Sequence, residues 1–253
     1  ESVGIFKDAL CSMSCMRHLI ERVLELSEEE QTNVSPNELP PGQGSEEELR
    51  ALLESLQPRI RVYGAGGAGC NAINRLHEEG LFDNSYVTGY AINTDAQALA
   101  MSSADKRIQM GTNLTEGLGA GSQPKIGAAA AQEAQAEILD YSAGSHMVFI
   151  TAGMGGGTGT GAASVIAQIA RDAGILTVAV VTKPYDFEGS KRMHFAEEGI
   201  EALSEWVDSL IVIPNEKLSE VFGDDNSIFN AFDKANDVLR GAVKGIAEII
   251  TIN

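Results

Sequence analysis

Basic residues are scarce in this chain: 18 Lys and Arg stand against 36 Asp and Glu, a formal net charge of −18. A nucleic-acid face needs clustered Lys and Arg to neutralise phosphates, so this balance argues against one. Long apolar runs are missing too, and none approaches the roughly 20 residues of a membrane-spanning helix. The N-terminus lacks the charged, apolar and small-residue succession of a signal peptide, which makes the cytoplasm the expected compartment. Cysteine is sparse: Cys11, Cys15 and Cys70 form no metal-ligand set, and the first two share a helix face as an apolar contact. Familiar catalytic signatures are absent. No G-x-x-x-x-G-K-[ST] supplies a phosphate-binding lysine, no G-x-S-x-G presents a nucleophile, and Ser164 already lies on a helical face. His18, His77, His146 and His194 are scattered without an H-E-x-x-H or a triad, and read as surface or satisfied core positions.

Glycine, by contrast, is plentiful, at 27 residues. The stretch that organises the chain is Gly155-Gly156-Gly157-Thr158-Gly159-Thr160-Gly161. An apolar run, His146 to Thr151, precedes it, and Val165, Ile166 and Ile169 mark one face of a helix after it. Strand, glycine turn and helix in that order aim backbone N–H groups and a positive dipole end at an anion. The same order occurs earlier. Arg59 to Tyr63 is a short strand, Gly64, Gly66 and Gly69 match G-x-G-x-x-G, and Ile73 and Leu76 open a helical face. The alternative for the 155–161 stretch is a flexible turn at a helix start, which leaves the flanking strand, the helix and the second cradle unexplained; the earlier stretch fits an NAD enzyme as readily as any other nucleotide binder.

Residues 1–58 read as an N-terminal helical extension and linker. Ile5 to Leu26 has an amphipathic stripe, Asn33 to Ser45 is polar and proline-bearing, and Glu46 to Leu56 restarts a helix behind Ser45. The stripe fits packing on its own domain, a partner or a membrane surface. An α/β domain follows over 59–227. Tyr86 to Ile92 is its second strand and ends in Asn93-Thr94-Asp95, where an acid suits either a ribose hydroxyl or a water on Mg²⁺. Gly111 to Pro124 is a polar glycine-rich loop, Ile126 to Tyr141 is helical, and Ile175 to Val181 is a strand buried on both faces. Lys183 to Gly189 is a loop, Met193 to Trp206 is helical with Trp206 in the core, and Ser209 to Ile213 is the last strand. From Ile228 to the end, 228–253, Phe232, Ala235, Leu239, Val243 and Ile246 recur at helical spacing, and no stop signal follows Ile250.

Strands alternating with helices predict an α/β fold, a doubly wound and mostly parallel sheet of Rossmann-like type. Both glycine turns, Asp95, the 111–124 loop, the 183–189 loop and Asn215 then fall at strand carboxyl ends, where such sheets bind ligands. A polyanion on so acidic a chain must rely on backbone amides, helix termini and a metal ion. Residue reasoning alone leaves three classes open: a GTP-binding protein, an NAD(P)-dependent oxidoreductase resting on G-x-G-x-x-G and Asp95, and a non-catalytic nucleotide-binding module. A second glycine cradle counts against the oxidoreductase, which needs one pyrophosphate loop.

Seven stretches together resemble the tubulin/FtsZ superfamily, and its FtsZ branch in particular: Gly64–Asn71, Asn93–Leu99, Gly117–Pro124, Met147–Gly161, Val180–Gly189, Ile213–Leu218 and Phe232–Gly245. They span roughly residues 59–253. The resemblance implies a GTPase of cell division that binds GTP or GDP with Mg²⁺ and polymerises with itself, head to tail. It places Gly66, Gly67, Ala68, Gly69, Cys70 and Asn71 at the phosphates and the base side of the first loop. Ala120 and Gly121 would lie near the γ-phosphate, with Asp95 near a magnesium-bound water. Gly155, Gly156, Gly157, Thr158, Gly159 and Thr160 would hold the α- and β-phosphates. Glu188 and Arg192 would contact ribose and phosphate, Phe232 would stack on guanine, and Asn215 and Asn236 would add polar contacts. Ala68 and Cys70 replace glycines common in the family, and Ser164 replaces a proline; binding is expected to survive both. The family's catalytic N-x-D-x-x-D loop, its second domain and the C-terminal tail that recruits membrane anchors and division proteins are not in this sequence. The expectation is therefore a nucleotide-binding half with no catalytic residue of its own and little hydrolysis alone.

Overall fold

The computed structural model describes residues 58–83, 86–217 and 228–251. The helices expected at Ile5 to Leu26 and Glu46 to Leu56 lie outside them. Six strands form one parallel sheet: β1 (Ile60–Ala65), β2 (Val87–Asn93), β3 (Lys106–Gln109), β4 (Met147–Gly153), β5 (Leu176–Lys183) and β6 (Ser209–Pro214), in the order β3-β2-β1-β4-β5-β6. Their apolar runs follow from position. β4 and β5 are buried almost throughout, because helices cover both faces of the sheet.

The helices are α1 (Gly66–Glu78), α2 (Ala96–Ala100), α3 (Thr112–Thr115), α4 (Pro124–Glu133), α5 (Gln135–Ser142), α6 (Thr158–Asp172), α7 (Ser190–Ser204) and α8 (Ile228–Thr251), with a 3₁₀ turn at Asp186–Glu188. One core layer joins Tyr63, Ile92 and Ile150 of the sheet to Ala130, Ile138, Ile166 and Leu203 of α4 to α7. The opposite layer joins Val62, Phe149 and Val180 to Ile73 of α1 and to Leu239, Val243 and Ala247 of α8. Trp206 packs against the first layer, as expected for a core residue.

The sequence did not foresee α2 and β3, and three further elements differ from expectation. The stretch from Ile126 to Tyr141 is two helices, broken at Ala134 (φ −90°, ψ 9°). The Gly111 to Pro124 loop contains the single turn α3, bounded by Gly111 and Glu116, both with positive φ. The helix expected from Met193 begins at Ser190, directly after Gly189 at φ 96°.

α8 is seated on α1 by the apolar residues above and braced by charge. Arg75 pairs with Asp233 (2.6 Å) and Asp237, and Glu79 pairs with Arg240 and Lys244 (2.9 Å to the lysine). Each such half-exposed pair contributes about 0–1 kcal/mol, so burial of Leu239 and Val243 carries the seating. Among the described residues, no helix is long and apolar enough to cross a membrane.

Candidate nucleotide site

The order of strands puts β1 and β4 side by side at the centre, with Ala65 level with Ala152. The turns leaving them therefore emerge together, and they touch: a Cβ on Gly66 would come 2.8 Å from the Gly159 nitrogen. Gly66 has φ +71°, which an L side chain rarely adopts. α1 and α6 both begin at this point, and neither has a side-chain cap at its N-terminus. First-turn N–H groups have no intrahelical partner. Two sets of them, each at a positive dipole end, thus open on one place.

That place is a cavity of about 330 Å³, within the range of small-molecule sites. Its wall contains Gly66, Gly67 and Ala68 from the first turn and Gly156, Gly157, Thr158 and Gly159 from the second. Glu188, Arg192, Asn215, Phe232 and Asn236 complete the far side. Gly67 and Gly156 have nothing within 4 Å of where a Cβ would stand, so their backbones face open space. Arg192 is the one cation on this wall among the described residues, and it is held by Glu188 at 2.7 Å. The opposite oxygen of Glu188 accepts the Tyr185 N–H at 2.8 Å. Asn215 is buried, and its Oδ1 has no hydrogen-bond partner. A buried amide oxygen left unpaired costs about 1–3 kcal/mol, which marks it as awaiting a donor from a ligand.

Eight residues expected at the site lie off this wall, each for a physical reason. Gly69 is a packing glycine whose Cβ would strike the Thr151 carbonyl. Cys70 is buried in the core, with Sγ 3.5 Å from the Gly64 carbonyl oxygen and 3.6 Å from that of Ile92. Its side chain therefore does not face the cavity. Asn71 faces a separate groove of about 510 Å³ between α1 and α8, which Asn236 also lines. Asp95 caps α2, its Oδ1 accepting the N–H groups of Gln97 (2.9 Å) and Ala98 (3.0 Å). Ala120 is buried beneath Gly157, and Gly121 belongs to the same loop. Gly155 and Thr160 serve the turn itself, the Gly155 N–H donating to the Thr160 hydroxyl at 2.8 Å.

The sequence reading missed Phe187. Its ring lies parallel to Tyr185 at 5.0 Å and edge-on to Phe232 at 6.2 Å, while more than half exposed. An aromatic two residues from Tyr185, in a loop leaving a buried strand, was the available signal. Among the described residues no three His, Cys, Asp or Glu side chains group as a metal site.

Burial pushes the Cys70 thiol from its ordinary 9.0 up to about 12. The native state thus holds the proton more tightly than the unfolded chain. Its contribution to stability is complete below pH 9 and declines as pH rises toward 12. Iodoacetamide at pH 8.5 should leave Cys70 unlabelled in the folded protein and label it in urea, as read by peptide mass mapping.

The sequence profile of the Tubulin/FtsZ family, GTPase domain, matches residues 59–223. The chain is 54% identical over 198 residues to the cell division protein FtsZ of Rhizobium radiobacter, covering 78% of this chain and 33% of that protein. It is 55% identical over 192 residues to the cell division protein FtsZ of Neisseria gonorrhoeae, covering 76% and 48%. It thus spans between about a third and a half of their length. Among solved structures, the empty FtsZ dimer of M. jannaschii is similar at TM-score 0.78 and 49% identity, over 85% of this chain and 61% of that one. CetZ2 of Haloferax volcanii, 21% identical over 77% and 60% at TM-score 0.67, shares the fold. With a profile matched from the first strand past the last, and a sheet of the same architecture, the chain belongs to the Tubulin/FtsZ family.

Proposed function

We propose that this chain binds GTP and GDP in the 330 Å³ cavity as the nucleotide-binding half of a self-assembling, FtsZ-type cell-division GTPase. The observation that carries this reading is the meeting of two helix N-termini, both without side-chain caps, at one cavity. Backbone amides hold the phosphates, which suits a chain whose net charge of −18 repels polyanions elsewhere. Phe232 offers a ring face to the purine, and the unpaired Asn215 amide tests polar groups of the nucleoside. Glu188 and Arg192, locked as a pair, contact ribose and phosphate.

Magnesium fits this site only through the nucleotide. A hard cation keeps several waters and takes phosphate oxygens plus one or two carboxylates, and Asp95 is the acid to which the family resemblance gives that role. When bound it would neutralise phosphate charge. Asp95 would orient one of its waters, with Oδ1 already committed to the α2 cap.

Phosphoryl transfer to water needs positioning and charge stabilisation rather than a covalent nucleophile. The cavity wall supplies the first and lacks an activating base. Its one carboxylate among the described residues, Glu188, is bonded at both oxygens. Water activation therefore falls to acids from outside this cavity, the role the family resemblance gives to the next subunit in a head-to-tail stack. Such a heterologous contact does not close on itself and builds open filaments.

An NAD(P) oxidoreductase needs one pyrophosphate loop, whereas two glycine turns line this cavity. Calorimetric titration should show GTP and GDP binding with NADH silent. Phe232→Ala should weaken GDP about tenfold, the loss of roughly 1.4 kcal/mol of stacking. Phosphate release by the isolated chain should stay near background. NADH binding in preference to GTP would overturn the reading.

A further inference from the structure

Thr94 is fully buried and directly follows β2. Its hydroxyl oxygen lies 2.6 Å from the hydroxyl oxygen of Thr158, the first residue of α6 and part of the cavity wall. Its carbonyl oxygen accepts the Gly119 N–H at 3.2 Å and lies 3.3 Å from the Thr115 hydroxyl, which also donates to the Gly111 carbonyl at 3.0 Å. One residue thus ties the second glycine turn to the 111–124 loop.

We propose that Thr94 is a positioning residue that directs the Thr158 hydroxyl proton into the cavity and couples phosphate occupancy to the order of the 117–121 loop. The inference rests on the nucleotide reading of the cavity. Each hydroxyl carries one proton. In a pair 2.6 Å apart, one hydroxyl donates and the other accepts. When Thr158 donates to a phosphate oxygen, its own oxygen must accept, and Thr94 is the donor placed to supply that bond. The two bonds then polarise each other in the same direction. With no anion present, the Thr158 proton is free to turn back onto Thr94. Phosphate therefore fixes the direction of the pair at a residue whose carbonyl anchors Gly119. Ala120, one residue on, lies under Gly157 of the same turn.

The test uses the whole chain with GDP and with guanosine, which keeps base and ribose but has no phosphate. Thr94→Val preserves shape and removes the donor. It should weaken GDP roughly fivefold to tenfold, the size of one hydrogen bond between neutral groups, and leave guanosine unchanged. Thr94→Ser should restore GDP affinity. In the wild type, GDP should slow hydrogen exchange of the Gly119 amide, and this protection should vanish in Thr94→Val. Equal losses for GDP and guanosine would make Thr94 merely structural and overturn the proposal. So would unchanged GDP binding, or failure of the serine to rescue. Exchange at Gly119 in the wild type decides the coupling even if the valine variant does not fold, since unchanged exchange on GDP binding contradicts it. A wild type that ignores GDP altogether overturns the nucleotide reading as well, a result separate from all the others.

Discussion

Valine at Gly67 is expected to weaken GTP and GDP binding on the order of a hundredfold, about 3 kcal/mol, with the thermal midpoint of the ligand-free protein nearly unchanged. Gly67 is exposed on the cavity wall near the start of α1, and no atom stands within 4 Å of its missing Cβ. The fold therefore tolerates a side chain there. A phosphate drawn against the first-turn amides does not, because the branched side chain occupies the line of approach. Gly156→Val should behave alike from the second turn, where the space is equally open. Calorimetric titration together with thermal unfolding separates the two effects. If both variants bind as well as the wild type, the phosphates are not held between these turns.

The largest stability effect is expected at Gly161. A methyl group there would strike the Pro124 carbonyl and come 2.5 Å from the Ala128 nitrogen, both backbone atoms of α4. Backbone atoms cannot swing aside as a side-chain tip does, so α4 and α6 must separate. Overpacking of this kind costs about 4 kcal/mol against a total stability of roughly 5–15 kcal/mol. Gly161→Ala should lower the unfolding midpoint by roughly 10 °C or prevent soluble expression. Gly241→Ala is the contrast. That glycine is exposed within α8 with nothing near it, and alanine there should stabilise by about 0.5–1 kcal/mol. Equal outcomes for the two substitutions would show that α4 and α6 are not in backbone contact.

The sequence exposed the strands because a doubly covered sheet makes each of them a nearly unbroken apolar run, as in Leu176 to Val181. It also exposed both glycine turns, since strand, glycine and helix follow one another in the chain. It did not tell one glycine from another. Gly67 and Gly156 are open, Gly69 and Gly161 are pressed against backbone, and Gly66 and Gly155 hold positive φ. Those distinctions arise from neighbours far away in sequence. The short elements α2, α3 and β3, of four or five residues each, carry too little periodicity to be read. Cys70 sat inside a phosphate motif and so looked like a ligand contact, although its place in the second turn of α1 turns the side chain into the core. Phe187 offered only its nearness to Tyr185, and the Thr94–Thr158 pair needed three dimensions, because its two members lie 64 residues apart.

The sheet consists of two wings, each drawn from contiguous chain. Residues 60–109 form β1 to β3 and residues 147–214 form β4 to β6, and the wings share a single seam between β1 and β4. Gly66 and Gly159 meet at the end of that seam. A ligand gripped from both sides there would act as a rivet across the seam, so that phosphate bears on the stiffness between whole wings as well as on the 117–121 loop.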